Sequence, residues 1–176
     1  MDKLPHRKNI RLKYYDYSQE GYYFITICTQ EKQKLFGEII NRKLILNDRG
    51  KMIKKWIYQL ENKFPHILID KYIIMPNHLH FIIIVVYPND NIQKHRLTVT
   101  GGHTGPPLPH IIQWFKTMTT NDYIKGVKNK IYPSFKKRIW QRNYYDRIIR
   151  NEKEYQKIYE YIETNPLKWE EDKYYV

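Results

Sequence analysis

Tyr72-Ile73-Ile74-Met75-Pro76-Asn77-His78-Leu79-His80-Phe81-Ile82-Ile83-Ile84-Val85-Val86 is the stretch on which the fold turns. Two runs rich in β-branched residues flank Pro76-Asn77, a pair that ends one strand and starts a tight connection. Ile67 to Met75 and His78 to Val86 therefore read as neighbouring antiparallel strands. Side chains at i and i+2 of a strand share a face, so His78 and His80 leave the sheet together while Leu79 points away. Two neutral imidazoles aimed at one point make half of a metal site. For an isolated pair, local hydrogen bonding is the better reading, so the rest of the chain has to decide.

Upstream, Tyr22 to Thr29 is rich in β-formers and reads as a strand. Phe36 to Leu46 reads as a small hairpin turning near Asn41-Arg42. Asn47-Asp48 offers an N-cap, and Ile53, Trp56, Ile57 and Leu60 follow at helical spacing. Residues 49–63 are thus an amphipathic helix that Pro65 stops. Downstream, residues 88–107 combine polar residues with Gly101, Gly102, Gly105, Pro106 and Pro107, and read as a flexible insertion. A second helix is expected from His110 to about Ile124, with Ile111, Ile112, Phe115 and Met118 inward. Ile139 to Ile149 contains a short extended piece. Asn151 then caps a last helix, with Glu154 at its third position. Tyr155, Ile158, Tyr159 and Ile162 form its buried stripe, and Pro166 lies just past its end. The order β-α-β-β-α-(β)-α predicts an α+β fold, a ferredoxin-like antiparallel sheet with helices packed on one face. One domain over 21–170 follows a basic N-terminal arm, residues 1–20.

The chain has 176 residues, with 31 Lys and Arg against 18 Asp and Glu, a net charge of +13. That surplus predicts a polyanionic partner, most simply nucleic acid. An anionic membrane is the rival, but no segment reaches spanning length, and the first residues lack the apolar core of a signal peptide. The single cysteine, Cys28, excludes an internal disulfide and a cysteine zinc cluster, and the expected location is cytoplasmic. Seventeen tyrosines and four tryptophans suit base stacking as well as core packing.

On the last helix Tyr161 and Asn165 are one turn apart and share a surface, with Tyr161 well off the buried stripe. A tyrosine so placed is free to point at something. Tyr144 and Tyr145, in a basic segment beside Trp140, compete with it for any nucleophilic role. The pairing with Asn165 favours Tyr161, and core or DNA contact is the better reading of the other two.

His78-Leu79-His80 after Met75-Pro76-Asn77, then Trp140 to Arg150 (WQRNYYDRIIR), then Tyr161-Ile162-Glu163-Thr164-Asn165-Pro166, together resemble the single-tyrosine HUH transposases, and more closely their REP-associated branch. The likeness runs from Tyr22 to Pro166. It implies an HUH endonuclease fold that cuts and rejoins single-stranded DNA near a hairpin through a 5′-phosphotyrosine. It implies His78 and His80 as metal ligands, Tyr161 as the nucleophile and Asn165, where mobile-element members often have glutamine, as the third ligand. The expected cofactor is a divalent metal, Mg²⁺ in the cell with Mn²⁺ substituting. The expected partner is single-stranded DNA with hairpin structure, bound by a monomer or homodimer. DNA contacts are expected from Arg7, Lys8, Arg11 and Lys13 in the arm and from Lys136, Lys137, Arg138, Arg142, Arg147 and Arg150. The alternative is a catalytically silent single-stranded DNA- or RNA-binding module on the same fold. Its RRM version lacks the Gly/Phe signature of that family.

Overall fold

The β1–β5 ladder fixes the molecule. The computed structural model describes residue 12 and residues 15–87 and 105–176. Strand β1 (Gly21–Cys28) is followed by a 3₁₀ turn at Gln30–Lys32, the hairpin β2 (Gly37–Ile40) and β3 (Lys43–Leu46), and helix α1 (Asp48–Lys63). Then come β4 (Ile67–Ile74), β5 (His78–Val85), α2 (Leu108–Lys128), β6 (Tyr145–Ile149), α3 (Glu152–Thr164) and a 3₁₀ segment, Asn165–Glu171. The main sheet has the order β4-β5-β1-β6, and every neighbouring pair is antiparallel. This is the ferredoxin-like α+β sheet expected from the sequence.

Local chemistry sets the boundaries. Asn47 Oδ1 accepts from Arg49 N at 3.0 Å and Gly50 N at 3.1 Å, which starts α1 as expected. Asn151 Oδ1 accepts from Glu154 N at 2.9 Å. Glu154 reaches back to Arg150 N at 2.9 Å, one residue earlier than a standard capping box. Helix α2 runs past the expected end near Ile124, to Lys128. The cause is Gly126, whose carbonyl takes Ile131 N and Tyr132 N at 2.8 and 3.1 Å and whose missing Cβ admits the Tyr132 ring. The extended piece expected over 139–149 divides. Trp140 makes one bridge to Thr29, and the strand itself begins at Tyr145.

The two long helices pack on one face of the sheet. Ile53, Ile57 and Leu60 of α1 and Ile111, Ile112 and Phe115 of α2 bury against Tyr23, Ile25 and Ile27 of β1 and Leu79, Phe81 and Ile83 of β5. The hydroxyl of Tyr17 bonds Asp146, so the chain just before β1 belongs to this body. Helix α3 takes the opposite face, where Ile158 and Ile162 pack with Ile82, Ile149 and Phe24. His78 and His80, alternating with Leu79, lie under α3. Arg7, Lys8, Arg11 and Lys13 lie outside the described residues, as do residues 88–104 of the expected insertion.

Gly50 tests the packing of the hairpin on α1. A Cβ there would lie 2.1 Å from the Phe36 carbonyl oxygen, a backbone atom. Helix propensity alone favours Gly→Ala by about 1 kcal/mol, but forced overpacking costs about 1–3 kcal/mol. Gly50→Ala is expected to lower the thermal midpoint by several degrees in circular dichroism. A raised midpoint would show that Phe36 yields.

Candidate metal and tyrosine site

The register pairs Cys28 with His78 and Thr26 with His80, which places both imidazoles at one end of the two central strands. Both are fully buried. His78 Nδ1 lies 2.8 Å from Asn77 Oδ1. The Asn77 amide nitrogen donates to the carbonyls of Lys32 and Tyr174 at 3.2 and 2.8 Å, so its oxygen faces His78 and accepts. His78 therefore carries its proton on Nδ1 and keeps an Nε2 lone pair. His80 Nδ1 lies 2.8 Å from Thr26 Oγ1. The two Nε2 atoms sit 3.0 Å apart.

Burial, with help from Lys173 and Lys32 against the opposing charge of Asp172, pushes the His78 imidazolium down to about 4. Burial, then His78 and Lys173, holds His80 well below the ordinary histidine value. Both rings are neutral at physiological pH, the form that ligates metal. The His80 proton can lie on Nδ1, toward Thr26, or on Nε2, toward His78; with it on Nδ1, both Nε2 lone pairs face one point, the arrangement in which two rings ligate a cation.

Tyr161, expected off the buried stripe, reaches this pair. Its hydroxyl is 3.2 Å from His80 Nε2 and donates to Asp172 Oδ2 at 2.9 Å. Its ring packs edge-on against Phe24 and His80. Burial and the Asp172 carboxylate hold the phenol above its ordinary value, while a hydrogen bond from Asn165 acts the other way. Asn165 is buried in the same place and donates from Nδ2 to Asp172 Oδ2 at 2.6 Å. Its Oδ1 is buried with no hydrogen-bond partner.

Asp172 is the member that sequence reasoning missed. His78, His80 and Asp172 each offer a ligand atom, all within 4.8 Å of one another. The 3₁₀ segment Asn165–Glu171 turns the chain back over the histidines, and Tyr174 N donates to Asp172 Oδ1 at 2.7 Å. Tyr174 covers His78, ring centroids 4.6 Å apart. Nothing in the spacing of Glu170-Glu171-Asp172 separates one acid from its neighbours. Thr26 and Asn77, which orient the rings, were legible only as a strand residue and a turn residue. Two imidazole nitrogens, one carboxylate and an orphaned amide oxygen form a donor set that suits a divalent metal.

The competing tyrosines separate. Tyr144 is buried in the core beneath α1 and α2. Tyr145 lies on the histidine face, exposed, its ring 6.4 Å from that of Tyr174. Among the basic residues, Lys136, Lys137, Arg142, Arg147 and Arg150 are exposed and Arg138 half-buried. Arg147 is paired to Glu154. No described helix is long and apolar enough to cross a membrane.

No family model matches the chain. It is 42% identical over 178 residues to an uncharacterized protein of Haemophilus influenzae, covering 98% of this chain and 95% of that one. Among solved structures it is similar to a REP-associated tyrosine transposase bound to a REP hairpin. That likeness has a TM-score of 0.55 at 19% identity and covers 96% of this chain and 74% of the other. The chain therefore belongs to the family of the Haemophilus influenzae protein, and its fold is that of a tyrosine transposase.

Proposed function

We propose that the protein is a metal-dependent transposase-type nuclease that cuts and rejoins single-stranded DNA beside a hairpin, with Tyr161 as its nucleophile. The observation that carries this reading is the meeting of Tyr161 with the His78–His80 pair, 3.2 Å from hydroxyl to imidazole, across two separate elements. A phenol at that distance is within reach of a phosphate held at the histidines. The resemblance drawn from the three motifs and the solved transposase of like fold support it.

His78, His80 and Asp172 would hold the metal, with the orphaned Oδ1 of Asn165, the third ligand that the resemblance implies, as a further donor. Bound there, a divalent cation such as Mg²⁺, or Mn²⁺ in its place, supplies positive charge to the scissile phosphate. The chain's own residues do the rest. Thr26 and Asn77 fix the two rings. Asn165 and Asp172 hold the Tyr161 oxygen in place. The phenolic oxygen bonds to phosphorus, the bond from phosphorus to the 3′ oxygen breaks, and in net terms the phenolic proton ends on the released 3′-hydroxyl. The 5′-phosphotyrosine keeps the energy of the phosphodiester, so the reverse attack rejoins strands without ATP. Exposed Lys136, Lys137, Arg142 and Arg150 and the basic arm would bind the backbone, giving affinity that falls steeply with salt. A cytoplasmic setting fits this work.

Tyr161→Phe removes one oxygen from a half-buried side chain, so the fold and hairpin binding are expected to persist within about twofold. The covalent protein–DNA adduct on a denaturing gel is expected to vanish. An adduct in the Phe variant would move the role to Tyr145.

Thr26→Val keeps the shape of the strand but leaves His80 Nδ1 without its partner. Loss of such an orienting group costs about 10–100-fold in metal affinity. Calorimetric titration with Mn²⁺ is expected to show a loss of that size, and EDTA is expected to abolish adduct formation by the unmodified protein. Unchanged Mn²⁺ affinity would make the histidines structural.

A further inference from the structure

One residue of the C-terminal segment, Tyr174, meets all three of His78, His80 and Asp172, directly or through the group that orients each. It is buried. Its backbone carbonyl accepts from Asn77 Nδ2 at 2.8 Å, and the Asn77 oxygen in turn accepts from His78 Nδ1. Its backbone N–H donates to Asp172 Oδ1 at 2.7 Å. Its ring lies 4.6 Å from that of His78 and 5.9 Å from that of His80, centroid to centroid. Its hydroxyl is hydrogen-bonded to Thr26, whose Oγ1 lies 2.8 Å from His80 Nδ1. No step of the proposed cleavage uses this side chain.

The two backbone bonds are open to any residue at this position. The hydroxyl is what tyrosine adds. A threonine hydroxyl has one proton to give. Thr26 gives it either to His80 Nδ1 or to Tyr174 Oη. Given to His80, it leaves the imidazole proton on Nε2, pointing at His78 Nε2 3.0 Å away. That tautomer closes the site to a cation. Given to Tyr174, it frees Thr26 Oγ1 to accept from a protonated Nδ1, and the Nε2 lone pair of His80 is then open. The second pattern needs an acceptor beyond Thr26, and a phenolic oxygen accepts as well as donates. We propose that Tyr174 is a positioning residue of the histidine site, its hydroxyl accepting from Thr26 and so favouring the His80 tautomer that ligates through Nε2. For its consequence, tighter metal binding, the inference rests on the metal reading of the site. The tautomer itself is a property of the metal-free chain.

Tyr174→Phe removes the oxygen and keeps the ring and both backbone bonds. Nitrogen-15 NMR of the metal-free protein at neutral pH separates protonated from unprotonated imidazole nitrogens, with the His80 signals assigned by their loss in His80→Gln. The Phe variant is expected to move His80 from Nδ1–H toward Nε2–H, at an unchanged thermal midpoint. Loss of a group that orients a ligand costs about 10–100-fold in metal affinity, so calorimetric titration with Mn²⁺ is expected to show at least a tenfold loss in Tyr174→Phe. Because the effect runs through Thr26, adding Tyr174→Phe to Thr26→Val is expected to cost almost nothing more. The same His80 tautomer ratio in the unmodified protein and the Phe variant would overturn the proposal. Losses that simply multiply in the double variant would also overturn it, since Tyr174 would then act by packing on the rings. The two readings fail separately. An unmodified protein that takes up no Mn²⁺ removes the metal from the proposed function, and the tautomer comparison on the metal-free samples still decides for or against Tyr174. Tight Mn²⁺ binding with an unchanged tautomer ratio removes the role of Tyr174 and leaves the metal site.

Discussion

The pairing of Thr26 with His80 across β1 and β5 is the constraint on which the rest depends. In a strand a slip of one residue sends every side chain to the other face. Slipped so, His78 and His80 would enter the core beneath α1 and α2, and Leu79 and Phe81 would face α3. The register is held from the core side, where Tyr23, Ile25, Ile27, Leu79, Phe81 and Ile83 are all fully buried. Each such side chain contributes on the order of 1.5–3 kcal/mol through burial. The apolar face thus fixes the position of the polar one. A pair of buried imidazoles could not set its own register, because polar groups in a dry site cost free energy until every partner is in place.

Partners are in place for nearly every polar atom. Asn77 and Thr26 take the Nδ1 atoms, Asp172 takes Tyr161 and Asn165, and Tyr174 N takes the remaining oxygen of Asp172. What is left over is one buried amide oxygen without a donor, Asn165 Oδ1, beside two Nε2 atoms that face each other. With the His80 proton on Nδ1, these atoms turn three lone pairs toward one place, a set that a cation matches.

How much of this was legible follows from the range of each interaction. The His-x-His pair, the helix caps at Asn47 and Asn151 and the i, i+4 pairing of Tyr161 with Asn165 are contacts within a turn or a strand, and the sequence displays them directly. The resemblance then supplied what periodicity could not, that Tyr161 and the histidines belong together. Asp172 was out of reach because its place depends on the 3₁₀ turn at Asn165–Glu171 folding back over the sheet, and no periodic pattern encodes that return. The end of α2 was missed for a related reason. Gly126 admits the Tyr132 ring from beyond the helix, a contact that helical spacing does not display. Tyr144 and Tyr145 could not be told apart until β6 was registered against β1, which sends alternate residues to opposite faces.

The same alternation gives the two faces of this small sheet different surroundings at one end. The chain near Cys28 is met by His78 from one side and by Gln141 from the other. On one face the imidazoles rise from this end toward α3 and the C-terminal segment. On the other, Trp140 sinks between Phe36 and Phe115, and the loop that carries it is pinned to α2 by Lys116. The histidine site does not ask the central core to open, since that core lies on the other face, between the sheet and helices α1 and α2. A large positive charge spread over such a body attracts a polyanion from any direction. Under the proposed function, the hollow where Tyr161 meets His80 is what turns that general attraction into a defined position for one phosphate of the strand.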